Sequence, residues 1–439
     1  MRPRGGPGPA MPPMALPSLG LRAAVAAQAP LVQRLLDEVA RVGADPPGIT
    51  REAFGPGENA GFALVAEAGT ALGLTATTDA AANLSLRWAA REPSAKPLLI
   101  GSHLDSIVQG GNFDGAAGVI AGLGAVAALK AAGVAPRRDI EVLALRCEEA
   151  VWFGLGLVGS RGILARLPPG ALDLPHARTR RNLAESIAAC GGDPARLRAG
   201  TPLRDPREIG AYLEIHIEQA PQLVEAGAPL GLCLATPGNL RHPRIRILGE
   251  DAHTGLPHRF RRDAAMAGAD FALALERFWL AEEEAGYPMA VTIGRFHTLP
   301  DRHSMTVVPG DFALSLDLRG YDAGHLQALE AQLGAIAAEV AERRAVTIIL
   351  GERSWAAPGI MDDGIVEGLA GAAARLGVTA PRLNSPGSHD ANNFAAAGVP
   401  TGMLLVRNAN GSHNPREAME TADLMEAIAV LAEWIAAGP

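Results

Sequence analysis

Four histidines follow short apolar runs in this sequence and stand beside a glycine or an acidic residue. They are His103 in GSHLDS, His216 in EIHIEQ, His389 in PGSHDA and His413 in NGSHNP. Imidazole is a common ligand for divalent transition metals, and open α/β sheets assemble their sites at the carboxyl ends of their strands. One such histidine is more often an ordinary core or loop residue, but four in the same context favour a shared site.

Two aspartates accompany the first of these histidines. Asp114 follows a pair of glycines and stands at the predicted start of a helix, where it could be an ordinary N-cap. Its alternative role is that of a carboxylate ligand, since a carboxylate beside His103 suits a divalent metal. Asp105 lies two residues after His103 and could orient the imidazole, as metal-bound histidines usually require, or it could cap a turn.

Glu148 and Glu149 follow the predicted strand 139–145 and precede Val-Trp-Phe, so burial near a sheet end is favoured over exposure. Two carboxylates in one cleft repel each other, and one of them must be neutralised by a metal or by a proton. A metal ligand and a general base in adjacent positions satisfy this requirement.

Other catalytic classes lack their motifs. The pattern GxGxxG occurs from Gly154 to Gly159, but it starts well after a strand has ended, and no strand bearing an acidic residue follows at the expected distance, so dinucleotide binding is disfavoured. The chain has no GxSxG or HExxH sequence. Its only lysines, Lys96 and Lys130, are outside any P-loop context, which excludes nucleotide hydrolysis of that type.

The composition bounds the class of protein. The chain has 439 residues and a net charge of −8, with 48 % hydrophobic and 20 % charged residues. These values predict a soluble protein of two domains and argue against a nucleic-acid surface. Three cysteines without a CxxC pair predict reduced thiols and a cytoplasmic location. No apolar run is long enough to cross a membrane, and the Pro-rich residues 1–30 are expected to be a disordered leader.

The elements that must position these residues alternate between short β-rich and longer Ala/Leu-rich runs, which is typical of an α/β fold. Strands are predicted at 97–101, 139–145, 211–217, 243–248, 312–318 and 401–406, and helices at 22–42, 114–132, 262–285, 323–342 and 417–436. The stretch 231–350 reads as strand, helix, two strands, helix and strand. It is predicted to be an inserted α+β domain, and residues 31–230 and 351–439 are predicted to form the larger catalytic domain.

Six segments in order resemble the two-metal amidohydrolases of the N-carbamoyl-L-amino-acid hydrolase and allantoate amidohydrolase family. These enzymes are related to the zinc aminoacylases and to peptidases of the carboxypeptidase G type. The resemblance covers about residues 30 to 435 and implies a catalytic domain with a mixed sheet flanked by helices, plus a smaller lid and dimerisation domain. The segments are GSHLDS…GGNFDGAAGV, EEAVWFGLGLVGSRG, EIHIEQAPQL, GEDAHTG, TVVPGDFALSLDLR and GSHNPREA.

The resemblance also implies roles for individual residues. One metal would be bound by His103, Asp114 and His216, and the other by Asp114, Glu149 and His413, with Asp114 bridging. Glu148 would be the general base, and His253 would stabilise the tetrahedral intermediate, often in the partner subunit's site. Substrate would be bound by Arg319, His389 and Thr306, while Asp105 and Glu417 would support the ligands from outside.

The resemblance implies two divalent metal ions for each subunit. Zinc is expected, and manganese, cobalt and nickel remain open because the ligands are nitrogen and oxygen. The expected partners are a small carboxylate substrate and a second copy of the chain, bound through the inserted domain. The expected reaction is hydrolysis of an N-carbamoyl-L-amino acid or a ureido carboxylate such as allantoate. Thr306 stands where the family usually has Asn, so a dipeptidase or an N-acyl-amino-acid deacylase remains an alternative, as does a binding protein without catalysis.

Overall fold

A computed structural model describes residues 18–90, 96–302 and 304–438 of the chain. Its α-helices are α1 (Ser18–Ala26), α2 (Ala29–Val42), α3 (Pro56–Ala71), α4 (Ala116–Ala131), α5 (Val158–Ile163), α6 (Leu183–Ala189), α7 (Pro194–Arg198), α8 (Gln222–Ala226), α9 (Ala264–Glu284), α10 (Ala323–Arg344), α11 (Asp363–Leu376), α12 (Asp390–Ala396) and α13 (Thr421–Ala437).

The strands fall into two larger sheets and several short ladders. They are β1 (Ala44–Asp45), β2 (Gly48–Ile49), β3 (Thr75–Thr78), β4 (Leu84–Trp88), β5 (Leu98–His103), β6 (Ile140–Leu145), β7 (Ala211–Ile217), β8 (Leu230–Cys233), β9 (Ala235–Thr236), β10 (Gly238–Leu248), β11 (Ala252–His253), β12 (Met289–Thr298), β13 (Val307–Val308), β14 (Asp311–Gly320), β15 (Thr347–Ile349), β16 (Ser354–Ala356), β17 (Gly359–Ile360), β18 (Arg382–Leu383), β19 (Thr401–Val406), β20 (Asn408–Ala409) and β21 (Ala418–Met419).

The main sheet has eight strands in the order β18-β8-β19-β7-β5-β6-β4-β3. Its centre is parallel, because β19, β7, β5 and β6 all run in the same direction. Antiparallel strands complete it, with β8 beside β19 and β4 and β3 beyond β6. The sheet is therefore mixed, and the carboxyl ends of four adjacent strands meet at one edge. The predicted α/β class is confirmed.

The central strands are mostly apolar and are buried along their whole length, as expected for parallel strands covered on both faces. Helix α4 packs against them through a surface of glycine and alanine. A Cβ atom added to Gly118 would lie 2.0 Å from the carbonyl oxygen of Ile215 in β7, so only glycine permits this approach. This close packing fixes the loop between β5 and α4, which carries Asp114, against the sheet.

The second sheet is antiparallel, in the order β12-β14-β10-β15, with β16 also paired to β10. Helices α9 and α10 pack on it and enclose a separate hydrophobic core that includes Phe271, Leu314 and Leu329. The order of the elements follows the predicted strand, helix, two strands, helix and strand. The bounds of the insertion differ from the predicted 231–350. Strand β8 belongs to the main sheet, and the insertion runs from Gly238 to Ala356.

The expectation of a disordered leader over residues 1–30 is wrong for residues 18–30, which the structure describes. Helix α1 starts directly after the proline-rich stretch and buries Leu21 and Val25 in the main core. Arg22 Nη2 also lies 2.7 Å from Glu426 Oε1 in α13. The predicted helix 22–42 is interrupted between α1 and α2, since α2 begins at Ala29 with Pro30 in its first turn. Residues 1–17 lie outside the described part of the chain, in which no helix is long and apolar enough to span a membrane.

Candidate metal centre

Five side chains with metal-binding atoms converge at the carboxyl edge of the main sheet. His103 ends β5, His216 is the last but one residue of β7, and Glu149 follows β6. Asp114 comes from the loop between β5 and α4, and His413 from the segment after β20. Their donor atoms form two groups, each with all atoms within 4.8 Å of one another: His103, Asp114 and His216, and Asp114, Glu149 and His413.

The first group is built so that two ring nitrogens face a carboxylate. His103 Nδ1 lies 3.0 Å from the carbonyl oxygen of Asp105, and His216 Nδ1 lies 2.9 Å from that of Ile217. A carbonyl can only accept, so each Nδ1 carries a hydrogen and donates it, which leaves each Nε2 to face Asp114. These Nε2 atoms lie 3.4 and 3.0 Å from Asp114 Oδ1.

Both of these Nε2 atoms are buried, and neither has a hydrogen-bond partner among the described residues. An unprotonated Nε2 would point its lone pair at the negatively charged oxygen of Asp114, which is repulsive unless a cation or a proton lies between the two acceptors. Although burial opposes it, the neighbouring carboxylates raise the pKa of both imidazoles, so a proton is held there when no metal is. Nitrogen and carboxylate donors that are held apart from other partners fit a divalent metal.

The second group shares Asp114 with the first. His413 Nε2 lies 3.5 Å from Asp114 Oδ2 and 3.3 Å from Glu149 Oε1. The carboxylates of Asp114 and Glu149 raise the pKa of His413 to about 11, so a proton occupies this imidazole when no metal does. Because the two oxygens of Asp114 face different groups, a bridging carboxylate between two ions fits this geometry.

Buried hydrogen bonds hold these ligands in place. The carboxylate of Asp105 accepts the backbone N–H groups of Glu148 and Glu149, each at 3.0 Å, and so fixes the end of β6 beside His103. Glu417 accepts the N–H of Asp114 at 3.2 Å and the hydroxyl of Ser412 at 2.8 Å. Glu417 thus supports the loop of Asp114 and the neighbour of His413, and no contact with His413 itself is seen.

Glu148 belongs to neither ligand group but lines the same cavity. Its Oε2 atom lies 3.9 Å from His103 Nε2, and its side chain is only 12 % exposed. Burial raises the pKa of Glu148 well above its usual range, and the neighbouring charge of Glu149 adds to this effect. A carboxylate close to the metal ligands, with no ligand role of its own, has the position that a proton-transfer group needs.

The cavity has a volume of about 570 Å³ and is lined by residues of the main domain and of the insertion. His389 lines it from the main domain, where Nε2 is 2.7 Å from Ser385 Oγ. Arg319 lines it from β14 of the insertion, and its Nη1 donates to the carbonyl of Pro386 at 3.2 Å. Two of the three predicted substrate-binding residues, Arg319 and His389, therefore line the cavity that holds the ligand groups.

His253 and Thr306 do not line this cavity within one chain. Both are exposed, on or beside the short ladder that β11 and β13 form on the insertion. His253 Nδ1 accepts the N–H of Gly255 at 3.0 Å, and the carbonyl of Thr306 accepts the N–H of Thr254 at 3.0 Å. His253 and Thr306 therefore lie close to each other on the insertion, and neither belongs to the ligand groups.

Two further contacts to Asp114 were not predicted. Gln219 Nε2 donates to Asp114 Oδ2 at 3.0 Å, and the hydroxyl of Ser412 donates to the same oxygen. Gln219 lies three residues after His216, and Ser412 directly precedes His413. This proximity in sequence to two predicted ligands was the available signal.

Comparisons with known proteins agree with this architecture. A family model described as peptidase family M20/M25/M40 matches residues 99–437. The N-carbamoyl-L-amino acid amidohydrolase of Geobacillus stearothermophilus is 34 % identical over 88 % of this chain and 92 % of its own. The allantoate amidohydrolase of Escherichia coli is 30 % identical over 91 % and 96 %.

A solved structure extends the likeness to three dimensions. The crystal structure of a hydantoinase/carbamoylase family amidase from Burkholderia ambifaria has a TM-score of 0.81 and 31 % sequence identity, and covers 93 % of this chain and 97 % of its own. The family match covers the insertion, the second part of the main domain and the first part from Leu99 onward. The chain therefore belongs to the peptidase family M20/M25/M40.

Proposed function

We propose that this protein hydrolyses the carbon–nitrogen bond of an N-carbamoyl-L-amino acid or of a related ureido carboxylate such as allantoate, with two divalent metal ions. The chain is a hydrolase of linear amides, in keeping with its amidohydrolase relatives. The observation that carries the two-metal proposal is the pair of ligand groups that share Asp114. Zinc suits these donors, and manganese, cobalt or nickel suit them as well.

The residues present define what the chain contributes to the reaction. Divalent metals, when bound, supply Lewis acidity and lower the pKa of water. Glu148 accepts the proton of the attacking water and delivers it to the leaving nitrogen, since its carboxylate is buried beside the ligands and free of them. The hydrogen bonds that the backbone N–H groups of Glu148 and Glu149 donate to Asp105 keep this backbone fixed during the transfer.

Arg319 orients the substrate from the opposite wall. Its guanidinium is held by the carbonyl of Pro386 and by Asp317 Oδ2, at 3.2 and 3.3 Å, and lines the cavity. A planar guanidinium suits a carboxylate because it offers two parallel N–H groups. His389 adds a buried imidazole to the cavity lining. The centre of its ring lies 4.2 Å from the centre of the His216 ring. A substrate with a terminal carboxylate would lie between Arg319 and the metal ligands.

The substrate class is tested by supplying the purified protein with metal and offering a panel of compounds. The panel contains N-carbamoyl amino acids, allantoate, β-ureidopropionate, N-acyl amino acids and dipeptides, with separate detection of ammonia and of free amine. Release of ammonia from the ureido compounds supports the proposal. Release of amino acid from only the N-acyl compounds or dipeptides would replace it with a deacylase or a dipeptidase.

We further propose that the protein acts as a cytoplasmic homodimer joined through the insertion. Helix α9 exposes Met266, Leu273 and Leu280 at seven-residue intervals, so they form one apolar stripe. Their side chains are 50, 52 and 58 % exposed, which is costly for large apolar groups in water. The exposed His253 is available to a second subunit's cavity, and its absence from the cavity of its own chain supports this role.

The dimer is tested with Leu273→Glu and Leu280→Glu, which place charge on the stripe. We expect sedimentation equilibrium to show monomers and turnover to fall, while the metal content stays unchanged. His253→Asn in an intact dimer should also lower turnover without metal loss. Full activity in a proven monomer would contradict both the dimer and the role of His253.

A further inference from the structure

The cavity carries more positive charge than one substrate carboxylate requires. Its lining includes three acidic side chains, all of which are at the metal centre, and four arginines, which are Arg161, Arg166, Arg241 and Arg319. With divalent ions bound, the acidic groups are neutralised and the arginines remain. A concave surface with this balance attracts anions strongly.

The four arginines differ in their partners. Arg241 and Arg319 both contact Asp317, at 3.1 and 3.3 Å, so their charge is partly compensated on the wall of the insertion. Arg161 and Arg166 have no acidic partner within ion-pair distance among the described residues. They lie on the main domain, in and just after α5, and so line the cavity from that domain and not from the insertion.

Backbone carbonyls position this second pair without neutralising it. Arg161 Nε donates to the carbonyl of Gly156 at 3.1 Å, and Arg166 Nη1 donates to that of Ala396 at 3.1 Å. A guanidinium has five N–H donors, so both groups keep donors for a ligand. Arg161 is only partly exposed. Burial lowers its pKa, and although Asp390 opposes this, the charge of Arg166 lowers it further.

Two cations that repel each other at a cavity wall are stabilised by an anion between them. We infer that Arg161 and Arg166 form a second carboxylate-binding subsite, and that the preferred substrates carry two carboxylates. One carboxylate would be bound by Arg319, and the other, on the side chain, by Arg161 and Arg166. The inference rests on the proposed function and narrows its substrate class to ureido derivatives of acidic amino acids.

A binding experiment tests the subsite without requiring turnover. Glutarate and butyrate differ by one carboxylate, and calorimetric titration of the metal-loaded protein gives the Kd of each. We expect glutarate to bind at least about tenfold more tightly than butyrate. In the double variant Arg161→Gln and Arg166→Gln this ratio should fall toward one, while the Kd of butyrate stays the same.

Matched variants make the result specific. Arg196→Gln removes an exposed arginine from α7, outside the cavity, and should leave the ratio unchanged. Arg166→Gln alone changes an exposed side chain and should lower the ratio even if the double variant does not fold. Equal affinity for both ligands in the unmodified protein would overturn the inference. So would a loss of butyrate binding as large as that of glutarate, because the pair would then bind the only carboxylate.

Turnover separates the inference from the function on which it rests. N-carbamoyl-L-glutamate and N-carbamoyl-L-norvaline have side chains of similar length, and kcat/KM should favour the first by at least about tenfold. If neither these two compounds nor any other ureido compound of the panel releases ammonia, the proposed function fails while the binding ratio still decides the subsite. If both are hydrolysed with equal kcat/KM, the function stands and the second subsite is excluded.

Discussion

Replacing Glu148 by glutamine isolates proton transfer from metal binding. The change keeps the side chain's volume and its backbone hydrogen bond to Asp105, but it removes the charge and the basic oxygen. Three acidic residues line the cavity, and Asp114 and Glu149 belong to the ligand groups, so no other carboxylate of the described lining is free to act as the base. We therefore expect kcat to fall by about 10² to 10⁴, or roughly 3 to 5 kcal/mol in the barrier.

The assay pairs ammonia release with metal analysis by mass spectrometry. In Glu148→Gln the metal content should equal that of the unmodified protein, because Glu148 is in neither ligand group. The control is Glu149→Gln, an equally conservative change at the adjacent residue, which should lose both activity and part of the metal. Activity within about tenfold of the original in a fully metal-loaded Glu148→Gln protein would refute the proposed base.

The same variant has a second signature in the metal-free protein. Burial raises the pKa of Glu148 in the folded state. A carboxyl whose pKa is higher in the folded protein than in the unfolded chain lowers the free energy of unfolding at pH values above its unfolded pKa. Glutamine removes this cost, so the thermal midpoint of the stripped variant should exceed that of the stripped parent at neutral pH. The difference should shrink as the pH falls below the ordinary range of a glutamate. An unchanged midpoint at every pH would show that the carboxyl is not destabilised by its surroundings.

Three further predictions concern the metal ligands and a separate buried ion pair, Arg146 with Glu58. Asp114→Asn should remove both metal ions whereas Glu149→Gln should remove one, as measured by metal content per chain, and equal losses would contradict the bridge. The raised pKa of His413 means that metal binding at neutral pH releases a proton, which calorimetry in two buffers of different ionisation enthalpy detects. Arg146→Met leaves the buried carboxylate of Glu58 without its partner and should cost about 3–5 kcal/mol in urea unfolding, and Glu58→Gln in the same chain should recover most of it.

Much of the main sheet could be predicted because its strands carry their own signal. The runs that became β5, β6 and β7 are mostly apolar and end at or shortly before chemistry-bearing residues, so the rule for parallel strands located His103, Glu149 and His216 at one edge. Helix α3 was missed, because its glycines and alanines blur the helical period. Helix α1 was predicted only in part, as the beginning of a helix over 22–42, because the residues up to 30 were also assigned to a proline-rich leader.

Contacts between distant segments were harder to predict. Arg161 carries no local signal of a role, and only the folded chain shows that it lines the cavity without an ion-pair partner among the described residues. Conversely, His253 and Thr306 were assigned to the site by resemblance, yet within one chain they lie on an exposed ladder. Their position depends on which surfaces meet after folding, and local sequence patterns carry no information about that. The bounds of the insertion moved for a similar reason, because β8 pairs with β19, far away in the sequence.

The separate hydrophobic cores of the two domains have a consequence for how this enzyme could diversify. The metal ligands all reside on one core, whereas Arg319 and Arg241 reside on the other, and the two are joined through the short crossings near Thr236 and Ala357. Mutations that reshape the insertion can therefore alter which molecule is recognised while leaving the hydrolytic machinery intact. Substrate specificity in such a fold can change step by step during evolution, and no intermediate sequence needs to lose its hydrolytic activity.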